Sequence, residues 1–218
     1  MRRMSRVLRM IGVGLLAWLG TFVMVNVVIL LAGVAARWSG KDPRLHSTEW
    51  PGITHLRRVD EKLLVGGQTT IKEYAELADH GVTLVIDVRG GSGGDHDDPE
   101  ALAEVGLAYR SLVIPDGRAP TPDQIRRFLD EVDSAEGLVF AHCGGGVGRS
   151  TSLAAAYEAS LGQDPSPLEQ VATGPPSLEQ IWYVATMRPG HPEHSISPAV
   201  AVVSRLVDAP RTLYGWLS

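Results

Sequence analysis

The feature that most restricts the fold of this chain is a run of 26 residues without any charge, from Ile11 to Ala36. As an α-helix this run reaches ~39 Å, which exceeds the ~30 Å hydrocarbon core of a bilayer. A cleaved signal peptide is the alternative, because Val34 and Ala36 fit a cleavage site, but signal peptides carry only about 7–15 apolar residues. The run therefore predicts a transmembrane helix over residues 11–36.

The charges on either side of this run bear on membrane orientation. Residues 1–10 form a basic segment with four arginines, while Arg37, Lys41 and Arg44 follow the run closely. The positive-inside rule slightly favours a cytoplasmic N-terminus, which places the rest of the chain on the other side. The single cysteine of the chain, Cys143, would be exposed to oxidation on that side if it were a reactive thiolate. We therefore keep both orientations as alternatives. We expect a single-pass membrane protein, in the plasma membrane.

Residues 37–52 differ in composition from the segments around them. They are polar and interrupted by Pro43 and Pro51, which is typical of a linker. The remaining residues, 53–218, have a length that suits one domain. Removing the five unbalanced arginines up to Arg37 from the formal charge of −5 leaves about −10 on residues 38–218. Bulk charge of this sign argues against nucleic acid as a partner, and the sequence indicates no oligomeric state.

The predicted domain alternates strands and helices. Apolar runs in the segments KLLVGG, VTLVIDV, AYRSLVI and GLVFAHC indicate strands. The segments TIKEYAELADHG, TPDQIRRFLDEVDSAEG and RSTSLAAAYEASLG indicate helices, and capping boxes begin the first two at Thr70 and Thr121. The alternation predicts an α/β fold with a central, mostly parallel sheet flanked by helices and preceded by one N-terminal transmembrane helix.

The single cysteine lies in the stretch AHCGGGVGRS, between a predicted strand and a predicted helix. Ligands of open α/β sheets bind at such strand ends. Five residues separate Cys143 from Arg149: Gly144, Gly145, Gly146, Val147 and Gly148. The four glycines permit backbone angles that turn successive amides inward as an anion nest, and the helix start adds its positive end.

This arrangement has a chemical consequence for the thiol. Arg149 offers a planar fork that matches two oxygens of a phosphate, while the amides and the arginine favour the thiolate form of a nearby cysteine. The loop therefore predicts a site for a tetrahedral dianion, with the sulfur of Cys143 at its floor. A buried core position is the alternative interpretation of a lone cysteine.

The stretch HCGGGVGRS fits the pattern H-C-x-x-G-x-x-R-[ST] and resembles the dual-specificity branch of the cysteine-dependent protein tyrosine phosphatase superfamily. The upstream segments LRRVDEKLLVGGQTT and YRSLVIPDGRAPTPDQIRRFLDEV resemble that family in order and spacing, so the likeness covers about residues 56–186. A rhodanese-type loop would have four residues between cysteine and arginine. The resemblance implies hydrolysis of phosphomonoesters through a phosphocysteine, without a metal or another cofactor.

The resemblance also implies roles for four residues. Cys143 would be the nucleophile, and Arg149 would hold the equatorial phosphate oxygens together with the loop amides. Ser150 would donate a hydrogen bond to the sulfur and ease its departure. His142 would fix the loop by hydrogen bonds rather than transfer protons.

The family keeps a general acid on an upstream loop, and this sequence offers several aspartates for that role. Asp116 follows a predicted strand and an Ile-Pro pair, precedes Gly117, and stands 27 positions before the cysteine. Asp123 lies in the first turn of a predicted helix, where the helix dipole already explains an acid. Asp116 is therefore favoured. More distant alternatives are Asp95, Asp97 and Asp98.

Other polar positions keep two interpretations. Gln180 matches a family glutamine that places the hydrolytic water, but Ser177 and Gln180 also form a capping box. The segment GDHDD, residues 94–98, could hold a divalent ion, although a solvated loop is favoured because glycines and a proline flank it. Asp87 and Arg89 are interpreted as structural.

The substrate is less defined than the reaction. No Lys, Arg or His lies between Cys143 and Arg149, which disfavours a highly charged inositol headgroup. We expect a protein carrying phosphotyrosine, phosphoserine or phosphothreonine, or a membrane-associated phosphoester, with the membrane as a further partner. A lipid phosphatase acting on a phospholipid phosphate and a non-catalytic phosphate-binding module are the alternatives.

Overall fold

The computed structural model of the chain describes residues 2–44, 52–90 and 97–217. The chain begins with the long helix α1 (Arg2–Trp38). Its part from Arg9 to Trp38 is long and apolar enough to cross a membrane, by length and composition. This helix matches the position of the predicted span and extends it at both ends.

A five-stranded sheet forms the centre of the domain. Its strands are β1 (Arg57–Arg58), β2 (Leu63–Gly67), β3 (Val82–Asp87), β4 (Ala108–Ser111) and β5 (Leu138–Cys143). Their spatial order is β1-β2-β5-β3-β4. The strands β2, β5, β3 and β4 are parallel neighbours, and only β1 runs antiparallel, at the edge. The prediction of a mostly parallel α/β sheet is therefore confirmed.

Seven further helices are described in residues 52–90 and 97–217. They are α2 (Ile71–Asp79), α3 (Pro99–Glu104), α4 (Pro122–Ser134), α5 (Arg149–Ser160), α6 (Pro167–Thr173), α7 (Leu178–Ala185) and α8 (Pro198–Leu217). The capping boxes at Thr70, Thr121 and Ser177 begin α2, α4 and α7 as predicted. Asp98, a distant candidate for the general acid, instead caps α3 by accepting from the amide of Glu100 at 2.9 Å.

The alternation of side chains along β5 decides which residues face the functional loop. Val139, Ala141 and Cys143 belong to the core that β5 shares with α4, α5 and α7. Phe140 belongs to the opposite core, with α2 and α3, and His142 stacks on its ring at a centroid distance of 5.4 Å. Because side chains in a strand alternate between faces, Cys143 and His142 point to opposite sides of the sheet.

The C-terminal part of α1 packs on the domain. Ile29, Gly33 and Ala36 are buried there, and a Cβ atom at Gly33 would collide with the carbonyl of Val171 in α6. Arg37 donates from Nε to the carbonyl oxygen of Ala172 at 2.6 Å. Small side chains allow this close approach of two helices. The helix ends at Trp38, so its last residues replace the first two of the predicted linker.

Candidate active site

Parallel strand pairing brings the candidate residues to one edge of the sheet. Gly67 at the end of β2 lies opposite Cys143, and Asp87 at the end of β3 lies opposite His142. The loop after Cys143 then leads directly into α5, which begins at Arg149. We call residues 143–149 the phosphate loop. Its position at the carboxyl ends of parallel strands is the usual ligand site of α/β folds.

The first carbonyl groups of the phosphate loop point outward. The carbonyl of Gly144 accepts a hydrogen bond from the amide of Gln68 at 3.0 Å. The carbonyl of Gly145 accepts one from Nδ1 of His55 at 2.7 Å. In a planar trans peptide the carbonyl and the following N–H point in opposite directions. The amides of Gly145 and Gly146 are thereby directed inward.

The last carbonyl groups of the loop are bonded by helix α5. The hydroxyl of Thr151 donates to the carbonyl of Val147, and the amide of Ser152 donates to the carbonyl of Gly148 at 3.0 Å. The same geometry turns the amides of Gly148 and Arg149 toward the loop centre. This geometry is compatible with the anion nest that the sequence predicts for the loop.

The glycines do not contribute equally to this shape. Among the four, only Gly146 has a positive φ, +71°, and a Cβ atom there would lie 2.6 Å from the amide nitrogen of Gly67. A Cβ atom at Gly148 would collide with the side-chain amide of Gln180, whereas one at Gly145 would meet no atom within 4 Å. Of the four glycines, only Gly146 thus uses the backbone freedom that glycine permits. Close approach of β2 makes glycine necessary at Gly146.

Cys143 lies at the floor of the loop. Its side chain is buried, at 3% exposure. The sulfur accepts a hydrogen bond from the amide of Gly146 at 3.2 Å and lies 3.4 Å from the hydroxyl oxygen of Ser150. Cys143 therefore belongs to the core by position, but its sulfur has polar neighbours.

Arg149 links the phosphate loop to the segment after β4. Its Nη1 donates to the carbonyl oxygen of Ile114 at 3.2 Å, and its Nη2 lies 3.1 Å from Oδ1 of Asp116. A cavity of about 130 Å³ is lined by Asp116, Cys143 and Arg149 together. The carboxyl of Asp116 is 76% exposed, so it can turn toward a group bound in that cavity.

The other aspartates lie elsewhere. Asp123 pairs with Arg126 and Arg127 on the exposed surface of α4. Asp97 forms an ion pair with Arg89 and contacts His142, and Asp95 lies outside the described residues. Of the described candidates, Asp116 is the one that lines the cavity with the cysteine.

The first turn of α7 holds the segment that carries Asp116. The hydroxyl of Ser177 donates to the carbonyl of Gly117 at 2.7 Å, and Nε2 of Gln180 donates to the carbonyl of Arg118 at 3.1 Å. The amide of Ala119 donates to the carboxylate of Glu179 at 3.1 Å. Three side chains of one helix turn thus fix three consecutive residues after Asp116.

Gln180 belongs to the capping box of α7 and also lies at the cavity. Its Oε1 accepts from the amide of Ser177 at 3.0 Å, which completes the capping box, and its side chain also lines the cavity. Sequence reasoning missed Glu179, because an acid in a first helical turn is already explained by the helix dipole. No local signal marked its contact with Ala119.

A buried polar network supports His142 from the other side of the sheet. Nε2 of His142 lies 2.7 Å from Oδ2 of Asp97 and 3.0 Å from the hydroxyl of Tyr74. Nη2 of Arg89 lies 2.9 Å from both Asp97 and Asp87. Asp97 is therefore part of this network, and the solvated-loop interpretation is wrong for it. His142 and the Asp87–Arg89 pair contact other protein groups, as expected of structural residues.

The contacts in this network favour the charged form of the carboxylates of Asp87 and Asp97. Burial alone would raise the pKa of Asp97, but its hydrogen bonds with His142 and Tyr74 and the charge of Arg89 bring that pKa below its usual value. Ligand-type atoms of Asp87, Asp97 and His142 lie within 4.8 Å of one another, a donor set that could suit a divalent cation. The guanidinium of Arg89 already supplies the positive charge between the two carboxylates.

A buried thiol that faces a backbone amide, with an arginine at the start of the next helix, is the arrangement that the resemblance to cysteine-dependent phosphatases implied. The sheet order and the strand–loop–helix position define a domain of the protein tyrosine phosphatase type. A family model described as "Polymorphic toxin system, DSP-PTPase phosphatase" matches residues 62–163. Over these residues the chain is similar to cysteine-dependent, dual-specificity phosphatases, in agreement with the resemblance found in the sequence.

Individual relatives match shorter parts of the chain. The beta-lactamase hydrolase-like protein of Agrobacterium fabrum is 32% identical over 94 residues, covering 41% of this chain and 22% of that protein. Human dual specificity protein phosphatase CDC14C is 37% identical over 60 residues, covering 28% of this chain and 13% of that protein. The chain therefore spans less than a quarter of either relative. A DUF442 protein from Shewanella putrefaciens shares the fold, with TM-score 0.51 and 21% identity over 74% of this chain and 96% of its own.

Proposed function

We propose that this chain hydrolyses phosphomonoesters through a phosphocysteine intermediate. One observation carries the proposal: the sulfur of Cys143 faces the amide of Gly146, in a cavity that Arg149 and Asp116 also line. Nucleophile, anion stabiliser and acid thus meet at one cavity, as phosphoryl transfer requires. A non-catalytic phosphate-binding module would not need a carboxylic acid beside the arginine.

The first step transfers the phosphoryl group to sulfur. The thiolate of Cys143 attacks phosphorus in line, the S–P bond forms, and the bond from phosphorus to the ester oxygen breaks. Asp116, protonated, gives its proton to the departing oxygen, so an alcohol or phenol leaves. Arg149 and the loop amides carry the charge that grows on the equatorial oxygens.

The second step regenerates the thiolate. A water molecule attacks phosphorus and gives a proton to the carboxylate of Asp116, while the S–P bond breaks and inorganic phosphate is formed. The hydroxyl of Ser150, 3.4 Å from the sulfur, stabilises the thiolate as it leaves. Gln180 lines the cavity, but both polar atoms of its amide bond backbone groups, so we assign it to holding the Asp116 segment.

The cavity supports a substrate with a single phosphate. Val147, Pro175 and Pro176 give it an apolar side, and in the part of the chain that the structure describes Arg149 is the basic residue that lines it. A headgroup with several phosphates would need further cations there. We therefore assign phosphotyrosine, phosphoserine and phosphothreonine side chains as the substrate class.

Helix α1 supports a membrane location for this activity. Its apolar surface from Met10 to Leu31 is largely exposed, and a bilayer would cover it. We propose a single-pass anchor in the plasma membrane, which keeps the domain among membrane-associated phosphoesters. The orientation of the anchor can be tested with an impermeant thiol reagent on intact cells. Reaction at Cys143 would place the domain outside the cell, and reaction only in broken cells would place it inside.

The activity is tested by phosphate release from an activated aryl phosphate, from phosphopeptides and from phosphatidylglycerol phosphate in vesicles. We expect wild-type protein to hydrolyse the aryl phosphate and the phosphopeptides, and Cys143→Ser to release no phosphate while keeping its fold. Turnover by Cys143→Ser would refute the covalent mechanism. Hydrolysis of the phospholipid but not of the peptides would show the substrate class to be wrong and identify a lipid phosphatase.

A further inference from the structure

We propose that His55 is a positioning residue that fixes the peptide between Gly145 and Gly146, so that the amide of this peptide faces the reactive sulfur. His55 lies in the segment before β1, 88 positions ahead of Cys143. The sequence signature of the phosphate loop does not include it. The inference deepens the proposed function, because it concerns the same site.

The two ends of one peptide group carry the argument. Its carbonyl, that of Gly145, lies 2.7 Å from Nδ1 of His55. Its amide, that of Gly146, donates to the sulfur of Cys143 at 3.2 Å. Because carbonyl and amide of a trans peptide are antiparallel, a donor outside the loop holds the amide inside it. A carbonyl oxygen only accepts, so Nδ1 of His55 carries the proton.

The backbone at His55 adopts a conformation that is uncommon for residues other than glycine. Within residues 2–44, 52–90 and 97–217, it is the one residue other than glycine with a positive φ, +52°. Such conformations persist where the surrounding structure imposes them. Here the buried side chains of Ile53 and Leu56 anchor both sides, and the carbonyl of Thr54 accepts from the amide of Gly67 at 2.8 Å.

The neighbouring peptide shows why a side chain is needed at this place. The carbonyl of Gly144 is held by the backbone amide of Gln68, so any residue at position 68 other than proline keeps that bond. The carbonyl of Gly145 is held by a side chain instead. A substitution at His55 can therefore release one loop peptide without changing the loop itself.

Two substitutions separate the hydrogen bond from the backbone strain. In His55→Asn the side-chain Nδ2 is bonded to Cγ, as Nδ1 is in histidine, so it can donate to the carbonyl of Gly145 from a similar position. Asparagine also tolerates a positive φ. In His55→Gly the positive φ is relaxed and the donor is lost. We expect alkylation of Cys143 by iodoacetamide at pH 6 to be about tenfold slower in His55→Gly than in wild type, because the sulfur loses an oriented amide donor. His55→Asn keeps the wild-type profile.

The readouts distinguish this proposal from the proposed function. Alkylation of the single cysteine needs no turnover, so a wild-type protein that hydrolyses no phosphoester refutes the phosphatase activity and leaves the His55 comparison intact. A wild-type alkylation profile in His55→Gly overturns the positioning role, and so does an Asn variant that resembles the Gly variant.

A measurement on the unaltered protein covers the case in which His55→Gly does not fold. Long-range nitrogen–proton NMR of the histidine rings reports which ring nitrogen carries the proton. We expect Nδ1 of His55 to be protonated at pH 7.5, as a donor to Gly145 requires. An unprotonated Nδ1 with the proton on Nε2 overturns the proposal.

Discussion

At the scale of single residues, Arg149 connects the phosphate loop to the general-acid candidate. Its Nη1 is bonded to the carbonyl of Ile114, and its Nη2 lies 3.1 Å from Asp116. A phosphate above Cys143 competes with Asp116 for the same guanidinium. If the phosphate displaced Asp116 from Arg149, the carboxyl group of Asp116 would be free to approach the leaving oxygen. Substrate binding would then also position the acid.

Asp116→Asn tests this role. We expect hydrolysis of phosphoserine and phosphotyrosine peptides to fall by about 10²–10⁴-fold, because their leaving oxygens need a proton. Hydrolysis of an activated aryl phosphate falls much less, since that leaving group departs as the anion. The measurement is kcat on both substrate types.

Asp123→Asn is the matched control, because Asp123 pairs with Arg126 and Arg127 on the exposed face of α4. Its kinetics should equal those of wild type. If Asp116→Asn retained full activity on phosphopeptides and Asp123→Asn lost it, the acid would be Asp123.

At the scale of elements, helix α7 is a support for the Asp116 segment. Ser177, Glu179 and Gln180 bond three consecutive backbone groups, at Gly117, Arg118 and Ala119. These bonds tie a surface loop, which would otherwise be mobile, to a helix packed on the core. The position of the acid therefore depends on side chains outside its own segment.

Glu179 gives a matched pair of variants for this support. Glu179→Ala leaves the amide of Ala119 without its acceptor in a buried place, and we expect a stability loss of about 1–3 kcal/mol together with slower phosphopeptide hydrolysis. Glu179→Gln keeps an acceptor oxygen and should retain both properties. Urea unfolding and steady-state kinetics measure the two effects, and equal behaviour of both variants would contradict the role.

The network of Asp97, His142 and Arg89 predicts a pH dependence of stability. The pKa of Asp97 is lowered in the folded protein, so its charged form stabilises the fold above the unfolded pKa of about 3.9 and this stabilisation is lost as the pH falls through the folded pKa. Asp97→Asn should therefore be less stable than wild type at pH 7. The difference in the free energy of unfolding between the two proteins, measured with urea, should become smaller below about pH 4. A difference that does not change with pH would contradict this role of Asp97.

At the scale of the whole molecule, α1 touches the domain without entering its core. Its buried residues contact α6, through Val171 and Ala172, but neither core of the sheet contains a residue of α1. The cavity above Cys143 is lined by Pro175 and Pro176, three and four residues beyond Ala172. The end of the proposed anchor therefore lies within a few residues of the cavity wall.

A shortened chain that begins at residue 45 tests the independence of the domain. We expect it to be soluble and to hydrolyse an aryl phosphate at the rate of the full chain, because both cores remain complete. Light scattering and initial rates give the result. An insoluble, inactive product would show that α1 is part of the folding unit.

The sequence alone determined the features that depend on neighbouring residues. Apolar periodicity located the main strands and helices, capping boxes located three helix starts, and the pattern from His142 to Ser150 located the phosphate loop. These signals are local, because a strand, a cap or a tight loop is specified by residues within a few positions of one another. The shorter helices α3 and α6 carry too few turns for a clear periodicity, and the longer helix α8 was not predicted either.

The tertiary structure decided the contacts between distant segments. It brought Asp116 rather than Asp123 to Arg149, Asp97 to His142 and His55 to Gly145. Each pair is separated by tens of residues. The first two pairs meet because parallel strands place their carboxyl ends at one edge of the sheet, and His55 reaches the same edge because β1 runs antiparallel. The pattern along the chain states which residues could take part in such a site; the register of the sheet decides which of them do.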